Sequence, residues 1–399
     1  MSLIKKSRAG RSLAALFAAE AVSNTGTEMA AVALPWFVLV TSGSPGRMGA
    51  VMAAEFAGIA LCGIPVGQAA ARLGPKRTMI VSDLTRAVLI ALIPLLHALD
   101  SLTFLMLMVI GFAVGAFFPA YSSSQWLGLS ALVGGDEDHL SRAGGLFGAV
   151  NEAASFLGPA LGGALVALLG PSPVLVIDAA SFLVPVALTA AFVPGTPPGN
   201  TVSADSRGML AGVRYLLRDG PLARRVLGVA VQGMAWTAMM ATLPVLALTR
   251  FHSGPRLAGW FVAAYGAGSM LGGLVTARIK LPGDRVAVLS ICGFAVSTWL
   301  LLLPLSRWLV LTGVAATGVT SGMFYARFFA GLTARTAPDI TVKVMTAVNA
   351  ALTAAGPVGF VLAGQLLQHA HSARPSLLLV ATSATVGALI VITTFESAQ

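Results

Sequence analysis

Charged residues are scarce in this 399-residue chain. Asp, Glu, Lys and Arg together make up 10% of it, whereas 56% of the residues are hydrophobic and the mean hydropathy is +0.85. Soluble domains carry about 25% charged residues, so the composition excludes an ordinary soluble globular fold. Lipid is therefore the expected environment of most of the chain.

Cysteine is scarcer still, and the motifs of common cofactor sites are missing. Cys62 and Cys292 both fall inside apolar runs, which leaves no disulfide framework and no metal-ligand spacing. The chain has no phosphate-binding loop with glycines, Lys and Ser or Thr in fixed order, and its five histidines stand in or beside loops. The sequence therefore predicts a protein that is not an enzyme and that holds neither a metal nor a cofactor.

Long apolar runs are abundant. About 20 predominantly apolar residues are needed to cross roughly 30 Å of hydrocarbon as a helix. Twelve runs reach that length, which predicts an all-α membrane protein with twelve transmembrane helices. The predicted spans are 12–41, 48–71, 78–98, 102–127, 142–169, 173–193, 223–249, 257–278, 285–305, 308–333, 341–368 and 375–395.

The basic residues predict an orientation, because short cytoplasmic loops retain Lys and Arg. A cytoplasmic N-terminus places eighteen of the twenty-five Lys and Arg residues in inner loops, five in outer loops and two within spans. Both termini are then cytoplasmic. This segregation assigns the net charge of +10 to topology and to anionic lipid headgroups rather than to nucleic acid.

The two halves of the sequence repeat each other. Asn151 precedes a Gly-Pro pair by seven residues in the fifth predicted span, and Asn349 does the same in the eleventh. The repeat predicts two pseudo-symmetric six-helix bundles, residues 1–193 and 223–399, which rock about a central site. A Pro/Gly/Ser-rich cytoplasmic linker, 194–222, joins them and carries an amphipathic surface helix.

The fifth predicted span carries a specific pattern, GLFGAVNEAASFLGPALGG over residues 145–163. It resembles the fifth-helix antiporter motif of the major facilitator superfamily, in its twelve-helix drug:proton antiporter type, with alanine at one glycine position. The motif positions are Gly145, Ala154, Gly158, Pro159, Gly162 and Gly163. Small residues let helices approach closely in lipid and a proline kinks them, so the segment is expected to seal one face and bend. Ordinary small-residue packing is the alternative.

Other segments extend the resemblance over the chain. The stretches GAFFPAYSS and VIDAASFLVP are similar to the branch that contains macrolide effluxers and the enterobactin exporter. The loop GQAAARLGPKR resembles the superfamily's inner-loop signature, although Ala71 takes its acidic position. The matching residues are Gly67, Arg72, Gly74, Lys76 and Arg77. The resemblance implies a gating charge latch, to which Asp83 and Arg86 on one helix face are expected to contribute, with a local ion pair as the alternative.

Acidic residues within the spans occur only in the first half, at Glu20, Glu28, Glu55, Asp83, Glu152 and Asp178. A charge at the bilayer centre costs about 2.5–3.5 kcal/mol on the insertion scale, so these groups are expected to face water, pair or carry a proton. Glu20, Asn24 and Glu28 follow four-residue spacing on one helix face. We predict Glu28 as the proton-coupling group, Glu152 as the next candidate and Glu55 as a third.

The superfamily resemblance implies that helices one, four, seven and ten line the cargo cavity. Carried onto this sequence, it nominates Asn24, Trp36, Tyr121, Gln125, Gln232, Trp236, Met239, Tyr325 and Arg327. Flexible methionine and broad aromatic faces suit varied apolar cargo, and helix packing is the alternative role for each residue.

Together these features predict a monomeric secondary active exporter of small amphipathic molecules in a bacterial plasma membrane, coupled to proton entry. Its expected partners are membrane lipids, a small-molecule substrate and protons. Export of a siderophore or metabolite stays open, as does a non-transporting membrane sensor or scaffold.

Overall fold

The fold is described from a computed structural model, which covers residues 2–133, 137–195, 213–279, 281–336, 338–370 and 372–396. Helices account for nearly all of these residues and no strand occurs among them, which confirms the all-α class. The first helices are α1 Ser2–Ser42, α2 Pro45–Leu73, α3 Pro75–Ala98, α4 Phe104–Val133, α5 Glu137–Leu169, α6 Pro171–Ser181 and α7 Leu183–Phe192. The remaining helices are α8 Gly220–Thr249, α9 Pro255–Thr276, α10 Gly283–Leu300, α11 Arg307–Arg335, α12 Pro338–Ala370 and α13 Arg374–Glu396.

Ten helical segments of the described chain are long and apolar enough to cross a membrane. The first and second predicted spans lie within α1 and α2, which are not among those ten. The sixth predicted span, expected as one helix, is interrupted at Phe182 between α6 and α7. Pro185 lies in the first turn of α7 and has no N–H to donate to the carbonyl of Ser181, which explains the break.

Glycine followed by proline starts three of the described helices, and in two of them the glycine has a positive φ angle. Gly74 and Gly170 adopt positive φ angles of 79° and 88°, a backbone conformation that glycine reaches without strain. Pro75 and Pro171 follow at the first helical position, where the missing N–H has no partner in any case. These two turns separate α2 from α3 and α5 from α6.

Contacts divide the chain into two compact units. The first unit comprises residues 1–34 and 57–204, and the second comprises 35–56 and 205–399. The ends of α1 and α2 that flank their connection therefore belong to the second unit, whereas the bundle boundaries 1–193 and 223–399 stay a prediction.

The predicted linker is described only in part, because residues 196–212 lie outside the described ranges. Residues 213–218 are helical. They bury Leu216 in a cluster with Val226, Leu332 and Val344, while Leu217 is exposed. One face of this short segment thus packs in a hydrophobic cluster of the second unit.

Helix α9 and helix α11 meet backbone to backbone in the second unit. A Cβ on Gly268 or Gly272 of α9 would collide with the backbone carbonyl of Ala315 or Val319 in α11. Gly318 and Gly322 of α11 are packed in the same way against the carbonyls of Tyr265 and Ser269. In the first unit Gly58 of α2 meets the Phe112 carbonyl of α4, so the repeat-related helix pairs share this close contact.

Two adjacent glycines of α9 provide a test of this contact. The Gly272→Ala variant is expected to lose about 1–3 kcal/mol of stability, because its new methyl group meets the Val319 carbonyl. The Gly273→Ala variant is the matched control, since a Cβ there meets nothing within 4 Å. Thermal unfolding of the two detergent-purified proteins should give a lower midpoint for Gly272→Ala alone. Equal midpoints would contradict the packing described.

Candidate functional site

One polar face of α1 contacts α4 and α5 inside the first unit. At its cytosol-proximal end by the predicted topology, Glu20 accepts hydrogen bonds from Nε2 of Gln125 and, at 3.5 Å, from the Tyr121 hydroxyl. Gln125 Nε2 also lies 2.7 Å from the Tyr121 hydroxyl oxygen. Tyr121 and Gln125, predicted as cavity residues, are thus both buried and bonded to Glu20.

Further along α1, the same polar face contacts α5. Asn24 Nδ2 donates to Asn151 Oδ1 at 3.0 Å, and one turn later Ser155 Oγ donates to Glu28 Oε1, also at 3.0 Å. Glu152 is exposed and lies within electrostatic range of Glu28. The first two candidates for proton coupling are therefore neighbours in space, whereas Glu55 belongs to the second unit and is half-buried.

The C-terminal half of the α5 motif, residues 154–163, is packed and lies directly beside Glu28. A Cβ on Gly158 would collide with the Cβ of Glu28, and one on Gly162 would lie 2.7 Å from the Met29 carbonyl oxygen. The other motif residues in this half, Ala154, Pro159 and Gly163, are buried as well. Gly145 differs, because it is exposed and a Cβ there meets nothing within 4 Å.

The second unit repeats this arrangement between α8 and α12. Gly359 leaves no room for a Cβ against the Met234 carbonyl and the Thr237 hydroxyl. Thr237 Oγ1 donates to the Gly356 carbonyl at 3.0 Å. The α12 glycines thus pack on α8 as the α5 glycines pack on α1, but no carboxylate occupies the position that Glu28 holds.

Asp83 and Arg86, predicted as part of a gating latch, lie in the interior of the first unit. Arg86 Nη2 donates to Thr27 Oγ1 at 3.3 Å, and its guanidinium carbon lies 4.5 Å from the ring centre of Phe182. Both side chains are buried among α1, α3, α4 and the α6–α7 break. Their gating role stays a prediction.

The residues of the predicted inner-loop signature lie at the end of α2, in the α2–α3 turn and at the start of α3. Gly74 forms the positive-φ turn before α3, Lys76 Nζ donates to the Ala190 carbonyl at 2.8 Å near the end of α7, and Arg77 is exposed. Gly67 and Arg72 are helical, but their surroundings lie outside the described part of the chain. Lys76 thereby holds the α2–α3 turn against α7.

Several predicted cavity residues of the second unit are buried in its core. Trp36 is buried, and Gln232 and Met239 have almost no exposed surface. The Trp236 ring lies 6.2 Å from Phe56 and 6.3 Å from Tyr265. Among described residues, neither the Gln232 amide nor the Trp236 indole N–H has a hydrogen-bond partner. These atoms could therefore bond a polar group of a bound molecule.

Tyr325 and Arg327, the last two cavity candidates, are engaged within the second unit. Tyr325 packs its ring against Phe324 and Phe329. Arg327 Nη2 donates to the carbonyls of Thr276 at 2.9 Å and Ile279 at 3.1 Å. Arg327 thus satisfies backbone carbonyls at the C-terminal end of α9, a common capping role for a basic side chain.

Sequence reasoning nominated Glu28 but missed its partner Ser155 and did not select Glu20. The sequence contains one indication of this contact, which is the equal spacing of two polar pairs. Asn24 and Asn151 are separated by 127 positions, and so are Glu28 and Ser155. Two polar pairs in one register on two helices indicate a shared interface. No group of three or more His, Cys, Asp or Glu side chains that could hold a metal occurs in the described part of the chain.

Comparison with known proteins decides the family. The model of the Major Facilitator Superfamily matches residues 16–279, well over half of the chain. The chain belongs to the major facilitator superfamily. This membership confirms the resemblance at the level of the superfamily and places the protein among membrane transporters rather than enzymes. The drug:proton antiporter type and its branch stay predictions.

Relatives and solved structures agree with this assignment. The chain is 26% identical to the multidrug efflux pump Tap of Mycobacterium tuberculosis over 91% of its own length and 88% of Tap. It is 27% identical to Tap of Mycolicibacterium fortuitum over 90% of its length and 89% of that protein. The nucleoside transporter NupG shares the fold with a TM-score of 0.76 at 14% identity, covering 96% of this chain and 99% of NupG. A bacterial homologue of the human lysosomal transporter Spinster gives 0.70 at 14% identity, covering 98% of each chain.

The α5 motif offers a paired test of the major facilitator packing. Gly162→Val is expected to reduce the folded yield or lower the unfolding midpoint, because its side chain meets the Met29 backbone. Gly145→Val should leave both unchanged, since its surroundings are open. Size-exclusion profiles and thermal unfolding of the two variants would measure this. Equal sensitivity at both positions would show that the glycines act by backbone flexibility instead of close packing.

Proposed function

We propose that this protein is a secondary active multidrug exporter that moves small amphipathic molecules out of a bacterial cell in exchange for entering protons. The observation that carries the proposal is Glu28, which accepts a hydrogen bond from Ser155 and lies beside the packed Gly158 of the α5 motif. The similarity to the Tap multidrug efflux pumps over nine tenths of the chain supports drug export. The similarity of the sequence to drug:proton antiporters supports the proton as the coupling ion.

Proton entry supplies enough energy for this function. One proton that crosses about 100 mV inward releases roughly 2.3 kcal/mol. At tenfold per 1.4 kcal/mol, this supports a gradient of about fifty-fold for a neutral cargo. The exporter therefore needs no ATP-binding site.

Glu28 is the proposed exchange group because it can change charge where α1 and α5 touch. Ionised Glu28 favours water or a cationic cargo, whereas protonated Glu28 tolerates a closed apolar environment. Glu152 lies within electrostatic range, so ionising both carboxyl groups together is unfavourable and loss of one proton favours retention of the other. In this scheme Glu55 is a further proton-binding candidate on the second unit.

The cargo site in this proposal combines aromatic and flexible side chains with a few polar atoms. Trp236 offers a ring face and an unpartnered indole N–H, and Gln232 offers an unpartnered amide. Met239 can adjust its shape to different cargo, since methionine side chains repack readily. Apolar surface with sparse polar atoms is a general property of sites that accept varied small molecules.

We further propose that both termini are cytoplasmic, that the inner loop containing Lys76 and Arg77 acts in gating, and that the monomer is the transporting unit. The excess of basic residues in the loops on one side supports this orientation. The membrane is then the bacterial plasma membrane, with the antiporter motif of α5 bending as the cavity changes its accessible side.

Transport in proteoliposomes tests the role of Glu28. With an imposed pH gradient, the wild type is expected to accumulate the dye rhodamine 6G against its concentration gradient. Glu28→Gln should bring the accumulation ratio down to about one, because it cannot exchange a proton. Ser155→Ala should weaken coupling less, and the exposed Asp100→Asn serves as a control. Normal accumulation by Glu28→Gln would reject Glu28 as the coupling group.

Reporter fusions test the orientation. Green fluorescent protein fused to either end should fluoresce in bacterial cells, and alkaline phosphatase fused at the same positions should be inactive, because both ends are expected in the cytoplasm. An alkaline phosphatase fusion after Asp100, in the first predicted outer loop beyond α3, is expected to be active. The reverse pattern at either terminus would refute the orientation.

A further inference from the structure

A second group of ionisable side chains is buried in the first unit, apart from Glu28. It consists of Glu20 of α1 and Asp83 and Arg86 of α3, whose exposed fractions are 5%, 1% and 4%. Asp83 lies within electrostatic range of both Arg86 and Glu20. We call these three residues the acid–arginine cluster.

The polar atoms of this cluster are unevenly satisfied. Glu20 accepts from Gln125 and Tyr121, whereas neither carboxyl oxygen of Asp83 has a hydrogen-bond partner among the described residues. Nε of Arg86 also lacks one there. A buried ionised carboxylate without hydrogen bonds is very costly, whereas a neutral carboxyl group costs much less.

Aromatic rings enclose the guanidinium group of the cluster. Its carbon lies 4.5 Å from the ring centre of Phe182, 5.8 Å from that of Phe118 and 5.9 Å from that of Tyr121. Ring faces stabilise a guanidinium, and arginine stays protonated in proteins. The cluster therefore contains one permanent positive charge.

Charge balance follows from these facts. Two ionised carboxylates and one guanidinium would leave an excess negative charge in a site with little exposed surface, which is strongly unfavourable. Binding of one proton makes the cluster neutral. A metal cation is a poorer fit, because the guanidinium already occupies the centre of positive charge and repels a second cation.

We propose that the acid–arginine cluster binds one exchangeable proton, shared between the carboxyl groups of Glu20 and Asp83, and is a proton-binding site separate from Glu28. The proton adds to a carboxylate oxygen of Asp83 or Glu20, while the other carboxylate stays ionised opposite Arg86. Release returns the proton to water and leaves both carboxylates ionised. Release is thus favoured only when water reaches the cluster, which links its proton occupancy to opening of the bundle.

The neighbouring elements supply few other ionisable groups. Tyr121 of α4 lies within electrostatic range of Asp83 and Glu20, and Gln125 of α4 and Asn151 of α5 are neutral. On α6, Asp178 is buried beside Gly26 and Ser181, and α7 has no ionisable side chain between Leu183 and Phe192. Arg86 acts electrostatically on both Glu20 and Asp83, and Glu20 acts on Asp83, so the charge count covers these three residues.

Infrared spectroscopy of the detergent-purified full-length protein at neutral pH tests proton binding without transport. A protonated carboxyl group gives a carbonyl stretching band that an ionised carboxylate lacks. Asp83→Asn and Glu20→Gln should each remove one carboxyl equivalent from this band, because the remaining carboxylate pairs with Arg86 and ionises. Arg86→Gln should add one equivalent, since neither carboxylate then has a cationic partner. The exposed Asp100→Asn should change nothing.

The pattern of the variants decides the outcome. A band of wild-type intensity in either Asp83→Asn or Glu20→Gln would show that the proton is not shared, and it would overturn the proposal. No gain of intensity in Arg86→Gln would also overturn it. Should Arg86→Gln fail to fold by size-exclusion chromatography, the two nearly isosteric carboxamide variants decide the question alone.

The role of this proton in transport rests on the proposed proton-driven export, and a separate measurement tests it. Asp83→Asn in proteoliposomes should lose accumulation of rhodamine 6G driven by a pH gradient but retain downhill dye movement. Unchanged accumulation would restrict the cluster to a structural proton and reject its transport role. If the wild type itself shows no accumulation, the proposed function fails, while the infrared result on the proton site stands.

Discussion

Close contact between helix backbones is the constraint on which the other features of this fold depend. Lipid removes the hydrophobic drive that holds soluble helices together, so dispersion and packing must replace it. The Gly272 contact with Val319 and the Gly162 contact with Met29 meet this need in the two units. Each leaves no room for even a methyl group, so the spacing of these helix pairs is determined by main-chain atoms and not by adaptable side chains.

The same contacts position the polar groups of the first unit. Gly158 brings α5 against α1 beside Glu28, and this approach allows Ser155 and Asn151 to bond to their α1 partners. Polar groups in a bilayer are costly unless they are paired, and most of those on α1 are paired. Asp83 and Gln232 depart from this rule, which is why they matter to the proposed proton and cargo sites.

Composition and periodicity predict the all-α class and ten of the spans well, because these depend on local hydrophobicity. The interruption at Phe182 was missed, although Pro185 was visible in the sequence. Individual site residues are harder to predict. The cavity role of Arg327 stays a prediction, whereas its contact with the end of α9 depends on carbonyls some fifty positions away that no local pattern reveals. Glu20 was on the recognised polar face, yet its partners Tyr121 and Gln125 come from α4.

The Arg327 contact has a mechanical consequence. This side chain of α11 holds the carbonyls of Thr276 and Ile279, while Gly272 and Gly322 bring the same two helices together one or two turns away. Sliding of α11 along α9 would break the hydrogen bonds of Arg327 and the glycine contacts at the same time. The two helices therefore form one rigid body, and any rearrangement of this unit has to tilt them together.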